Sequence, residues 1–205
     1  MRRCLRVIVR VSYKGVGFYD INHARINDSE FMKRTREALE LIEEKDPRRF
    51  KRVQKEIHYI INVELTSGGQ YMRAAKCCFV DFGRFRFTSQ PEWYLYLYAG
   101  LIVHEATHGE LYSKGFSYTT ANRERIERIC HAEQARFLSR VKPEWRDHLV
   151  NEFDPSRWHF SWHASKWSKF RGLSQRIKAS KKMANNASEA TSGLASSADS
   201  SSPQG

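Results

Sequence analysis

The sequence lacks any apolar run of membrane-spanning length. Its longest, residues 93–103, falls short of the roughly 18–20 residues that a helix needs to cross a bilayer, so a soluble chain is expected. Cysteine is scarce, confined to Cys4, Cys77, Cys78 and Cys130. An adjacent pair and two distant singles suit neither a disulfide framework nor a Cys-x-x-Cys zinc knuckle, which favours a reducing, cytoplasmic setting. The opening Met1-Arg2-Arg3-Cys4-Leu5-Arg6 is basic, but residues 7–11 are interrupted by Arg10 and carry neither the apolar core nor the small-residue cleavage site of a secretory signal. Export by that route is not expected. Acidic residues are missing from 155 to 188, a stretch that holds Arg157, Lys166, Lys169, Arg171, Arg176, Lys178, Lys181 and Lys182.

What is present suffices for one folded domain. The 205 residues are 40% hydrophobic and 13% aromatic, enough to bury a core and to exclude wholesale disorder. Lys and Arg outnumber Asp and Glu by 35 to 23, a net charge of +12. That excess attracts phosphate, anionic membrane or acidic protein without specifying a fold.

Local pattern places the elements. Residues 7–13 alternate branched apolar residues with Arg10 and Ser12 and read as a strand. Asp28-Ser29 caps a helix over 30–44, and Asp46-Pro47 separates it from a second over 48–57. Residues 58–65, 70–81 and 84–87 are β-branched and aromatic runs parted by Ser67-Gly68-Gly69 and Gly83, and they predict a short antiparallel meander. Ser89 as N-cap, Pro91 in the first turn and Glu92 completing a capping box predict a buried helix to about residue 110. Thr119 or Thr120 with Glu124 opens another helix to about residue 140, and Pro143 opens a short one.

Within the buried helix stands His104-Glu105-Ala106-Thr107-His108. Histidines at i and i+4 project from one helix face about a turn apart, so both imidazoles can reach one zinc ion. Glu105 then points beside them toward a metal-bound water, as a general base must. Apolar Leu101, Ile102 and Val103 precede the motif, and only uncharged residues lie between Glu105 and His108. Two histidines leave the coordination incomplete. A metzincin continuation is excluded, because it needs Gly and His where this chain has Leu111 and Lys114.

Over residues 101–134 the chain resembles the zincin metallopeptidases, specifically their gluzincin branch. There a glutamate on the next helix, commonly eighteen residues past the second histidine, is the third ligand; residues 109–126 are that interval here and Glu127 follows it. The resemblance implies His104, His108 and Glu127 as zinc ligands and Glu105 as general base. It also implies an α+β fold with a small antiparallel sheet on the motif helix and a second, ligand-bearing helix. Zn2+ would be the cofactor and peptide-bond hydrolysis the activity, on a protein or peptide substrate. The chain departs from the pattern at Glu110, where an apolar residue is usual, and it has neither an Asn-Glu opening nor a Gly-x-Met-Glu-Asn segment. The helix carrying Glu127 also offers Glu124, His131 and Glu133. His131, one turn beyond Glu127, is a candidate to orient a ligand or contact a substrate oxyanion. Cys130 reads as a buried small hydrophobe rather than a thiolate ligand. Tyr112, Tyr118 and Arg123 are further oxyanion candidates, for which packing or surface roles are the simpler account.

A second feature lies at 157–171, where Trp158, Phe160, Trp162, Trp167 and Phe170 interleave with Arg157, Lys166, Lys169 and Arg171. Aromatics stack bases and cations neutralise phosphates, so the segment suits nucleic acid or an anionic surface; packing of the aromatics back onto the domain is the simpler expectation. His159 and His163 read as surface histidines. The expected organisation is a domain over 1–172 and a basic, then Ser/Ala-rich disordered tail over 173–205. The principal expectation is a zinc peptidase. Its rivals are a basic nucleic-acid-binding or adaptor protein with a silent zincin core, and a structural zinc site closed by Cys130 or His131.

Overall fold

A computed structural model describes residues 11–21, 30–65, 68–85, 87 and 89–145. Strand β1 (Val11–Tyr13) turns back on β2 (Val16–Asp20) through Lys14 and Gly15, both at positive φ (44° and 91°). This two-residue turn matches the twist of the strands it joins. Helix α1 (Glu30–Lys45) buries Phe31, Met32, Thr35, Ala38, Leu39 and Ile42, the one face that a 3.6-residue period aligns. Helix α2 (Pro47–Glu56) starts at once, with Pro47 in its first turn and Asp46 as an N-cap that accepts from the Arg49 backbone N–H at 3.1 Å.

The chain then enters β3 (Tyr59–Asn62), β4 (Gly69–Met72) and β5 (Cys77–Val80), giving a five-stranded sheet in the order β1-β2-β3-β5-β4. The expected antiparallel meander is corrected here. β3 runs parallel to both β2 and β5, with Ile60 opposite Phe18 and Cys78, and only the two edge pairings are antiparallel. Residues 70–81 are not one strand. A 3-10 turn at Arg73–Ala75 and a left-handed Lys76 (φ 48°) fold them into a hairpin that sets β4 outside β5. The central β3 and β5 are buried throughout, which explains their unbroken apolar character: buried parallel strands read as continuous runs rather than alternations. The expected strand at 84–87 is also absent among the described residues. Phe82–Arg84 is a 3-10 turn, and Phe82, Phe85 and Phe87 pack their rings on Tyr98, with Phe85 and Phe87 also meeting Tyr94.

Helix α3 (Pro91–Ser113) and helix α4 (Arg123–Val141) complete the core. Each runs past its expected end, and their N-caps are Gln90 and Asn122, not Ser89 or a threonine. Thr119 acts just ahead of α4 instead, its hydroxyl accepting from the Asn122 N–H at 3.3 Å. Gly100 lets α4 come close, since a Cβ there would meet Leu138 Cδ2 at 3.2 Å. A short 3-10 turn follows at Pro143–Trp145. The fold is therefore α+β, with α3 buried between the sheet and the other helices. Among the described residues no helix is long and apolar enough to cross a membrane. The expected boundary near 172, the tail, the strand residues 7–10, the segment 157–171, His159 and His163 lie outside the described residues.

Candidate metal centre

Helix α3 is buried around most of its circumference from Tyr98 to Gly109, so its polar side chains face protein rather than water. His104, Glu105 and His108 are all buried. The one-turn spacing brings His104 Nε2 to 3.2 Å from His108 Nε2. From α4, Glu127 sends Oε2 to 3.4 Å from His104 Nε2 and 3.6 Å from His108 Nε2. Its other oxygen accepts a hydrogen bond from the Tyr118 hydroxyl. Tyr118 also stands edge-on to the His108 ring, centroids 5.7 Å apart.

These separations test whether zinc fits. Tetrahedral bonds of 2.0–2.1 Å place neighbouring donor atoms about 3.3–3.4 Å apart. The triangle of two imidazole nitrogens and one carboxylate oxygen has that size, and nitrogen and oxygen donors of this kind suit zinc. The residues present fit the ion.

The other candidates on α4 separate cleanly. Glu124 is exposed and pairs with Arg128 at 2.8 Å. Glu133 is engaged by Arg49 and Arg52 at 3.1 and 2.9 Å and by Arg136 at 2.6 Å. Helical phase decides this: only one stripe of α4 faces α3, and Glu127, Cys130 and His131 lie on or beside it. His131 sets its ring 4.7 Å from that of His104, and its donor atom lies within 4.8 Å of those of His104 and Glu127. Cys130 is fully buried beside Leu111 and Ile126, as a small hydrophobe would be. Its sulfur, however, lies within 4.8 Å of the donors of His104 and His108.

The general-base candidate is held from the sheet. The Tyr71 backbone N–H of edge strand β4 hydrogen-bonds the Glu105 carboxylate, while Glu105 Oε2 is buried with no hydrogen-bond partner among the described residues. Gly69 makes this approach possible, because a Cβ there would stand 2.6 Å from Glu105 Oε1 and 2.8 Å from Leu101 Cδ1. Sequence reasoning took Gly69 for a turn residue and missed the role; a glycine in a strand marking a close backbone approach was the available signal.

Arg52 was also missed. It reaches Glu110 at 2.6 Å and Thr107 Oγ1 at 3.2 Å on α3, and Glu133 at 2.9 Å on α4. One guanidinium fork thus ties together the two donor-bearing helices, and it explains the charge at Glu110.

The electrostatics follow from burial and proximity. Burial pushes the Glu105 carboxyl up, against the lowering influence of His108 and His104. Burial also acts to raise Glu127, but hydrogen bonds and charge from His104 and His108 outweigh it and hold this carboxyl far below the usual range. Burial opposes protonation of His108, yet its bonds to Cys130 and Glu127 raise its pKa well above normal. Burial and the neighbouring His104 lower His131 to about 4. Of the oxyanion candidates, Tyr112 stacks on Tyr71 at 6.1 Å under the Arg73 guanidinium, and Arg123 covers the Tyr118 ring at 5.5 Å.

Comparison of the chain with protein-family models, curated proteins and solved structures finds no match.

Proposed function

We propose that this domain is a zinc-dependent peptidase of zincin type, with His104, His108 and Glu127 as ligands and Glu105 as general base. One observation carries the proposal: a donor triangle of tetrahedral size, with edges of 3.2, 3.4 and 3.6 Å, stands beside a buried carboxylate that has one oxygen without a hydrogen-bond partner among the described residues. Zinc held by His104, His108 and Glu127 would supply Lewis acidity, lowering the pKa of a water and polarising a carbonyl.

The chain's own residues do the remainder. Glu105 takes a proton at Oε2, and burial raises its affinity for that proton. The Tyr71 N–H holds the carboxylate in place during the transfer. Glu105 then returns the proton to the departing amine. Tyr118, bonded to the far oxygen of Glu127, fixes the ligand's orientation. A peptide substrate is supported by β4, a sheet edge whose Gly69 borders Glu105, since an extended peptide can add to such an edge by backbone hydrogen bonds.

The test compares zinc content and hydrolysis of an unfolded protein substrate in wild type, Glu105→Gln, His104→Ala and Glu127→Ala. Glu105→Gln should keep its zinc and lose about 10²–10⁴-fold in rate; His104→Ala should lose zinc, and Glu127→Ala should hold it more weakly than wild type. Equal zinc in all four proteins would remove the ligand assignment, and undiminished hydrolysis by Glu105→Gln would remove the mechanism.

A further inference from the structure

Cys130 has the packing of a small apolar residue but the position of a ligand. It lies three residues beyond Glu127 on α4, so the two side chains share a helix face. Its thiol is fully buried and its sulfur is within 4.8 Å of the donor atoms of both His104 and His108. Two donor sets therefore overlap at these histidines: one completed by the Glu127 oxygen, the other by the Cys130 sulfur. Bonds of about 2.3 Å to sulfur and 2.0–2.1 Å to nitrogen would place sulfur and nitrogen about 3.5–3.6 Å apart around a tetrahedral ion. From the 4.8 Å limit the thiol has at most about 1.3 Å to close, a displacement within reach of rotation about χ1.

We propose that Cys130 is a sulfur donor to the ion held by His104 and His108, and that this makes the centre selective for thiophilic divalent cations. Zinc, cobalt and cadmium would be preferred to magnesium and manganese, which favour oxygen ligands. The proposal rests on His104 and His108 being metal ligands. On ligation a metal–sulfur bond forms, the S–H bond breaks and the proton passes to solvent. With Glu127 also bound, four protein donors close the coordination shell; with the sulfur detached, a position opens for water. Cys130 thereby sets the balance between a closed centre and a catalytically open one.

The experiment loads the full chain with cobalt(II) and records the metal bound per chain together with the near-ultraviolet thiolate-to-cobalt charge-transfer band. The expected result is one cobalt with the band in wild type, cobalt without the band in Cys130→Ser, and cobalt with the band in Cys78→Ser. Cobalt bound by wild type without the band overturns sulfur ligation and leaves the histidine ligands standing. A band that persists in Cys130→Ser also overturns it. Failure of wild type to bind cobalt overturns this proposal and the metal centre together. Should Cys130→Ser not fold, cadmium NMR of the wild-type protein decides the matter: a resonance in the sulfur-ligated range supports the proposal, and one in the nitrogen and oxygen range refutes it.

Discussion

Replacing Gly109 by alanine sets helix propensity against packing, and the structure decides the sign. Gly109 follows His108 inside α3, where propensity alone predicts a stabilisation of about 1 kcal/mol on introducing alanine. A Cβ at this position would stand 2.7 Å from Glu56 Cβ, 2.9 Å from the Tyr71 hydroxyl and 3.0 Å from Tyr71 Cζ. None of these atoms yields easily. Glu56 is buried, with its carboxylate accepting from Ser113 Oγ at 2.8 Å and Lys76 Nζ at 3.2 Å. Tyr71 is tied by its hydroxyl to the Glu56 carbonyl at 3.0 Å. Overpacking costs about 1–3 kcal/mol, and losing the Tyr71 hydrogen bond adds about 1 kcal/mol. The net expectation is a loss of about 1–3 kcal/mol, after the propensity gain is subtracted. Gly100 on the same helix is the internal control. Its nearest atoms, at 3.2–3.3 Å, are the side-chain carbons of Leu138 and Gln134, so Gly100→Ala should stay within about 0.5 kcal/mol of wild type, the strain offsetting the propensity gain. Urea unfolding of both variants measures the difference. A Gly109→Ala protein as stable as Gly100→Ala would refute the packing argument, and with it the placement of α3 against α2 and β4.

Other expectations concern the centre and the charges behind it. Tyr118→Phe removes the hydrogen bond to Glu127 and should weaken zinc binding about 10–100-fold; unchanged affinity in a chelator competition would take Tyr118 out of the site. Arg52→Lys cannot span Thr107, Glu110 and Glu133 together, and a loss of about 1–3 kcal/mol in urea unfolding is expected; full stability would show that the ion-pair network is incidental. Burial acts to raise Glu133, but hydrogen bonds from Arg52 and Arg136 and the charge of Arg49 hold its carboxyl down to about 2, against an ordinary 4.5. A depressed carboxyl stabilises the fold above its unfolded pKa, and that contribution is lost as pH falls toward the folded value. Wild type should therefore lose more stability than Glu133→Gln on acidification across that window, and parallel stability profiles would contradict the assignment. Excess zinc at about 100 times its dissociation constant should raise unfolding stability by about 2.7 kcal/mol, an increment that His104→Ala should not show.

Much of the fold was legible where a local pattern carries the information. The apolar period of residues 30–45, the Asp46-Pro47 boundary and the His104/His108 pair each depend on residues within two turns of one another, so the chain itself displays them. The sheet was misread because strand direction is not a local property. β3 and β5 are buried on both faces and look alike whichever way they run, while the Arg73–Ala75 turn that sends β4 to the edge sits inside one continuous β-like run. The Lys14-Gly15 hairpin and β2 were overlooked although Gly15 marks a turn, because the short run after it was not read as a strand.

The centre divides along the same line. Sequence alone determined that two imidazoles share a helix face with an acid beside the first, since helical pitch requires it. It ranked Glu127 first on its helix only by resemblance. The packing of α3 against α4 separated Glu127 from Glu124 and Glu133 and brought Cys130 and His131 up to the histidines, while the packing of α3 against β4 set the Tyr71 backbone against Glu105. Those choices depend on which stripe of one helix meets another and on how close a strand lacking a side chain can come. Distances between elements far apart in the chain exist only once the core has packed.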